Sequence, residues 1–161
     1  EPFTILTLPV KDCNYDIELD DCLEKFAEGE ELSNDAMPYC SICRKKTTAI
    51  KKMSIWDEPE ILIIHLNRFN NYGYMNIQKI HTNVNYPIDD LNINQTQLDI
   101  HMTESHYELY AVCEHRGSYH GGHYVAYCKN SINNKWYEFN DSLVTEINEN
   151  KVISEQSYCF F

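Results

Sequence analysis

The chain has 161 residues, 43% hydrophobic and 12% aromatic, with a formal net charge of −12. That suits one domain with one core and excludes a disordered segment. The acidic balance excludes nucleic acid and anionic membrane as partners; it either attracts a basic partner or serves solubility alone. No apolar run approaches the ~20 residues of a membrane-spanning helix, and no signal peptide is visible. The seven cysteines are odd in number, and only Cys40 and Cys43 lie close together. A secreted disulfide framework is therefore not expected, and a reducing cytoplasmic or nuclear setting is.

The opening FTILTLPV alternates as a strand and ends at Pro9. The period then changes. Leu19, Cys22, Leu23, Phe26 and Ala27 recur as one face of a helix, with Gly29 as its stop. Polar strands carrying Lys45, Lys46, Lys51 and Lys52 follow a Cys-x-x-Cys turn. EILIIHLNRF is the most apolar stretch and predicts a central strand. His65 within it is expected to be a hydrogen-bonded core residue, and Arg68 to pair with an acidic neighbour. A long Asn-rich connection contains a short strand at 84–86, with His81, His101 and His106 solvated. Strands are predicted at 107–113, 123–129, 136–139, 143–147 and 158–161, giving one α+β domain over 1–161, mostly antiparallel.

Two patterns carry chemistry. In PYCSICRKK, Cys40 and Cys43 are half of a tetrahedral zinc site, since a knuckle supplies two of four ligands. A redox pair or two structural thiols are the alternatives, although a thioredoxin-like site would need a βαβ setting. In EHRGSYHGGHYVAYCKN, three histidines surround Gly117, Gly121 and Gly122. His123 heads a strand, and Asn140 ends the next, so an antiparallel hairpin lays them side by side. A histidine held by an oriented carbonyl has one ring nitrogen fixed as N–H and the other free as a base. Asp141 supplies a negative charge or an alternative orienting group. A satisfied hairpin histidine is the plainer reading, but it leaves unexplained the paired glycines, the aromatic neighbours Tyr124, Trp136 and Tyr137, and the Asn-Asp pair. His115 and His120 are expected to be flanking loop residues. Cys113 and Cys128 are expected in strands as core residues, away from any helix N-terminus that would activate a thiol.

The stretch YELYAVCEHRGSYHGGHYVAYCKNSINNKWYEFNDSLVTEI closely resembles the histidine box of the ubiquitin-specific proteases, papain-like deubiquitinases. PEILIIHLNRF, LDDCLEKFAEGEEL, YCSICRKKTTAIKKMSIW and the final SYCFF are similar to family motifs in the same order. The family's Gly-Asn-Thr-Cys-like nucleophile box and its first Cys-x-x-Cys have no counterpart here. The resemblance therefore implies the C-terminal part of a papain-like catalytic domain, a palm sheet with part of the zinc-ribbon fingers, whose partners are the N-terminal, nucleophile-bearing half and ubiquitin or a ubiquitinated protein. It implies that His123 is the general base and Asn140 the third triad member, with Asp141 supporting the oxyanion or the histidine. Gly117, Gly121 and Gly122 would form a loop closing over the ubiquitin tail, followed by Tyr124; Asn70 to Asn76 lie near another such loop. Cys40 and Cys43 would be the second zinc knuckle. An acidic field from Glu108, Glu114, Asp141 and Glu146 would suit an arginine-bearing tail. A non-catalytic ubiquitin-binding module and a zinc-ribbon interaction module are the competing readings.

Overall fold

Alternation fixes the first element. In strand β1 (Leu6–Pro9), Leu6 and Leu8 are buried while Thr7 faces outward. A computed structural model describes residues 3–55, 57–71, 73, 77–93 and 105–161. After the short strand β2 (Ile17–Glu18), helix α1 (Leu19–Ala27) buries Leu19, Cys22 and Leu23 in the core that β1 also lines. The Glu18 amide donates to the Asp21 carboxylate at 2.8 Å, satisfying one donor at the helix start. Gly29 is not a left-handed helix stop. The helix ends at Ala27, and a Cβ on Gly29 would come within 2.9 Å of Ile50 Cγ2, so this glycine admits a neighbouring strand.

An arm follows, made of β3 (Glu30–Leu32), β4 (Tyr39–Cys40), β5 (Lys45–Lys46) and β6 (Ala49–Lys51), with β3 paired to β6 and β4 to β5. The apolar motif then enters the core as β7 (Ile64–Asn67), where Ile64 and Leu66 are buried. Next come the hairpin of β8 (Phe69–Asn71) and β9 (Ile77–Lys79), then β10 (Val84–Asn85), which pairs in parallel with β2. Strands β11 (Leu91–Asn92) and β12 (His106–Tyr107) pair with each other. His81 is exposed. His106 is exposed too but bonds Asp90 at 2.6 Å, while His101 and most of the 70–76 loop lie outside the described residues.

The last third supplies β13 (Ala111–Ser118), β14 (Gly121–Lys129), β15 (Trp136–Asn140), β16 (Leu143–Ile147) and β17 (Ser157–Phe160). The principal sheet has seven strands in the order β1-β7-β17-β13-β14-β15-β16. Within this sheet only β1 and β7 run parallel, and its other pairings are antiparallel. This is the α+β, mostly antiparallel architecture that the pattern of strands predicts. The boundaries differ near the glycines. The 107–113 strand divides into β12 and β13, and the loop expected at 117–122 contracts to a turn at Tyr119 and His120, because Gly117 pairs with Gly122 and Ser118 with Gly121.

Arg68 departs from expectation. It is fully buried, and among the described residues its guanidinium forms no ion pair. Nε donates to the Ser157 carbonyl at 2.7 Å, and Nη1 donates to the Ile80 and Thr82 carbonyls at 3.2 and 2.7 Å. Burial lowers its pKa to about 10, which leaves it charged at neutral pH. Arg68→Met should therefore lower unfolding free energy by about 3 kcal/mol, since buried carbonyls lose their donors. Urea unfolding at neutral pH measures this, and Arg68→Lys should recover only part of the loss because an ammonium lacks the planar fork.

Candidate active site

The hairpin of β13 and β14 and the next strand β15 build the site. Arg116 lies opposite His123 and Glu114 opposite Val125; Tyr127 lies opposite Glu138. Because side chains alternate along a strand, Arg116, Glu114, His123, Val125, Tyr127, Glu138 and Asn140 share one face. On that face His123 Nε2 lies 2.7 Å from Asn140 Oδ1. An amide oxygen only accepts, so Nε2 carries the proton and the Nδ1 lone pair is left free. His123 is exposed and Asn140 half-buried, so the imidazole is both oriented and reachable. This geometry suits a general base.

Asp141 does not join that bond. It begins the two-residue turn between β15 and β16 in the left-handed region, at φ 51°, and is exposed. Tyr124 points to the opposite face, where its ring lies 4.8 Å from that of His115 and 6.2 Å from that of Tyr158.

His115 is no loop residue. It is a buried member of β13, packed against Phe69, Tyr124 and Tyr158. Its ring edge lies so close to Gly122 that a Cβ there would fall within 2.8 Å of His115 Cε1 and 2.9 Å of the Arg116 carbonyl. Gly117 takes φ 134°, and a Cβ on it would lie 2.6 Å from the Gly121 carbonyl oxygen and from Gly122 Cα. These two glycines are thus required by the hairpin itself. Gly121 has open space around its Cα. Burial first, and then the Lys79 charge, lower the His115 pKa below its ordinary value, and Nδ1 is buried without a partner among the described residues. Periodicity could not reveal this, because alternation does not say which face of a hairpin is covered.

Glu114 is not part of an exposed acidic field. Its buried carboxylate accepts from Arg116 Nε at 2.9 Å, from the Tyr127 hydroxyl at 3.1 Å and from Ser154 Oγ. Glu108 is exposed, and Glu146 pairs with Lys135 at 2.8 Å. His65 is half-buried, bonds Thr7 Oγ1 at 3.4 Å, and has its pKa lowered by burial. The thiols near the sheet are not activated. Burial pushes Cys22 and Cys159 up to about 11 and raises Cys113 and Cys128 as well. The latter two are half-buried rather than deep in the core.

Cys40 is the exception. The backbone amides of Cys43 and Ile42 direct hydrogen bonds at its sulfur and lower its pKa. The Cys43 amide lies 3.4 Å from Cys40 Sγ. The turn closes with the Arg44 amide on the Cys40 carbonyl at 2.8 Å, with Arg44 at φ 53°. Amide donors on a thiolate turn suit one knuckle of a metal site. Among the described residues no group of three or more His, Cys, Asp or Glu gathers as a complete set.

With this geometry established, comparisons place the chain. The family model described as ubiquitin carboxyl-terminal hydrolase matches residues 11–161. The chain belongs to the ubiquitin carboxyl-terminal hydrolase family. It is 39% identical to ubiquitin carboxyl-terminal hydrolase 2 of Gallus gallus over 164 residues, covering 100% of this chain and 45% of that protein. It is 41% identical to ubiquitin carboxyl-terminal hydrolase 10 of Arabidopsis thaliana over 145 residues, covering 90% of this chain and 16% of the relative. The chain thus spans less than half the length of these curated relatives. Among solved structures, the yeast SAGA DUB module is similar at TM-score 0.84 and 32% identity, covering 100% of this chain and 35% of that one. A SAGA DUB module bound to ubiquitin aldehyde matches at TM-score 0.82 and 30% identity, over 98% of this chain and 35% of the other. The ubiquitin-specific protease fold is therefore that of the palm sheet described above.

Gly122→Ala should destabilise the chain, and a double-mutant cycle with His115→Ala should show coupling of about 1–2 kcal/mol, since removing the ring makes room for the methyl. Unfolded His115 takes a proton near its ordinary pKa of 6.5, while the folded ring resists it. The unfolded state then binds more protons, so stability should fall as pH drops from about 7.5 to about 5.5, and the urea midpoint should show less of this fall in His115→Asn.

Proposed function

We propose that the protein hydrolyses the isopeptide or peptide bond at the ubiquitin C-terminus by thiol chemistry, with this chain supplying the general base and its orienting residue. The observation that carries this reading is the 2.7 Å contact between His123 Nε2 and Asn140 Oδ1 in a member of this family. The nucleophilic cysteine would come from polypeptide outside these residues. The sheet thiols here are raised by burial, and the one lowered thiol sits on the arm.

In this mechanism the free Nδ1 of His123 takes the proton of the incoming thiol. The thiolate attacks the carbonyl carbon, and the tetrahedral adduct collapses as His123 protonates the departing lysine amine. A thioester remains. His123 then takes a proton from water as the water attacks, and the thiol leaves with that proton. Asn140 keeps the ring in the productive tautomer and its carbonyl dipole stabilises the imidazolium. Asp141, one residue on, would support the oxyanion or the histidine. Gly121, with open space around its Cα, together with Gly117, Gly122 and Tyr124, would line the path of a Gly-Gly tail. Partners are then ubiquitin or a ubiquitinated protein and the nucleophile-bearing half, in a cytoplasmic or nuclear setting. Among the described residues no helix is long and apolar enough to cross a membrane.

Cys40 and Cys43 would hold zinc as one knuckle, completed by two further ligands from outside this chain, and the metal would fix the arm. Metal analysis should find weak zinc binding by the 161 residues alone and full occupancy when a second knuckle is present, lost in Cys40→Ser.

The deciding experiment treats the protein, with its nucleophile-bearing half, with ubiquitin carrying a C-terminal electrophile. Labelling should vanish in His123→Ala with the fold intact, and turnover of a ubiquitin amide should fall at least about 10²-fold. Labelling that survives this substitution refutes the base assignment. Ubiquitin binding without hydrolysis in the unaltered protein would favour the non-catalytic module.

A further inference from the structure

At the end of the principal sheet remote from His123, apolar surface is left open. From Ala111, the first residue of β13, to Arg116, the residue opposite His123, the strand covers about 17 Å. Beside the Ala111 end lies a pocket of about 230 Å³. Leu19, Leu62, Ile64, Tyr86 and Phe160 line it and are buried, so the pocket opens directly onto the core. Ile61 and Tyr110 line it too, yet they are 60% and 49% exposed. Large apolar side chains gathered around a concave opening mark a contact surface, unlike single ones scattered over a protein.

The pocket continues into a second hollow of about 260 Å³. Leu19, Pro87, Leu91 and His106 line both, so the two form one groove. The paired strands β11 and β12 wall it, with Asp90 bonded to His106 at 2.6 Å. Its charge has one sign. Glu60 and Glu108 lie at the apolar part, and Glu18, Asp20 and Asp90 at the other; all five are exposed. Among the described residues no Lys or Arg lines either part. Lys129, whose amide donates to the Tyr110 carbonyl, turns its ammonium to Asp89 at 3.6 Å. Glu58 adds negative charge near Tyr107: both its carboxylate oxygens are shielded from solvent, without a hydrogen-bond partner among the described residues.

We propose that this groove docks a linear, cationic segment of a partner protein, with one aliphatic or aromatic side chain in the pocket and Lys or Arg residues along the acidic part. The volume suits a single large side chain, as a peptide presents it. An apolar pocket alone would accept any hydrophobic segment; carboxylates along the opening select a basic one and repel an acidic one. A partner held here leaves the His123 end of the sheet free, and its binding does not depend on the reaction proposed above.

The test uses the protein with its nucleophile-bearing half and a panel of fluorescent octapeptides. Each carries Leu, Ile, Phe or Trp, preceded or followed by Arg-Lys-Arg; matched peptides carry Glu-Glu-Glu instead, or Ser in place of the anchor. At least one basic, anchored peptide should bind by fluorescence anisotropy and shift the amide resonances of Ile61, Leu91 and Tyr110, with affinity falling as salt rises. Both matched controls should bind at least about tenfold more weakly. Glu60→Lys and Ile61→Asp, at exposed positions outside the hydrolytic site, should each weaken binding by a similar factor and leave the rate on a fluorogenic ubiquitin amide unchanged. The proposal is overturned if no basic peptide binds, the result expected when another part of the protein covers the groove. Undiminished binding by both variants overturns it as well, since it marks non-specific attraction to an acidic protein. Equal binding of the Glu peptides does the same, leaving an unselective apolar pocket. If the unaltered protein hydrolyses nothing but binds basic peptides at these residues, the proposed function fails and the groove stands.

Discussion

Three backbone carbonyls converge on one guanidinium at the centre of this fold. Those of Ile80 and Thr82 lie together shortly after Arg68 in the chain, that of Ser157 lies 89 residues on, and Arg68 satisfies all three. A carboxylate partner would have neutralised the charge but left the carbonyls without donors; neutral dipoles keep the charge and close the gaps between segments. The web extends outward from there. Thr82 Oγ1 accepts from the Cys13 amide at 3.0 Å and donates to the Cys13 carbonyl at 2.9 Å. The Tyr86 hydroxyl donates to the Val152 carbonyl at 2.8 Å. The irregular segments flanking the sheet are thus fastened by polar bonds within an apolar core.

From Arg68 the support for His123 runs through the sheet. Strand β17, whose first residue presents its carbonyl to the arginine, pairs with β7 on one side and β13 on the other. Strand β13 in turn carries β14 and His123. The two faces of that hairpin differ in chemistry. One holds an aromatic packing around a neutral His115 and a side-chain-free Gly122; the other holds a lattice of carboxylates, hydroxyls and one guanidinium beside the imidazole. The chain is acidic overall, with a net charge of −12, but Glu114 belongs to an internal network, so net charge overstates the field presented by this face.

The sequence made some of this legible for identifiable reasons. His123 and Asn140 lie at the ends of strands with a turn between them, so the pairing of β14 with β15 brings those ends near each other. Helix α1 was visible because its apolar period is strict. The fate of Arg68 was hidden because backbone acceptors leave no mark in a residue pattern. The same holds for His115, whose setting depends on Phe69 and Tyr158, residues brought from distant parts of the chain. Glu114 read as surface because charged residues usually are; its partners Arg116 and Tyr127 lie two and 13 residues along the chain, and only the register of β13 against β14 turns them to one side.

The separation in sequence between interacting groups also sets an order of assembly. His123 and Asn140 are 17 residues apart, whereas Arg68 and Ser157 are 89 apart. Closing the shorter loop costs less chain entropy, and hairpins form on the microsecond scale, so the two site residues can meet early while the arginine junction waits for distant strands. Contact order therefore divides the molecule into a locally encoded site and a support that is complete only when the chain is. Lengthening the connection between β11 and β12 would enlarge the second kind of loop by a logarithmic increment and leave the first untouched.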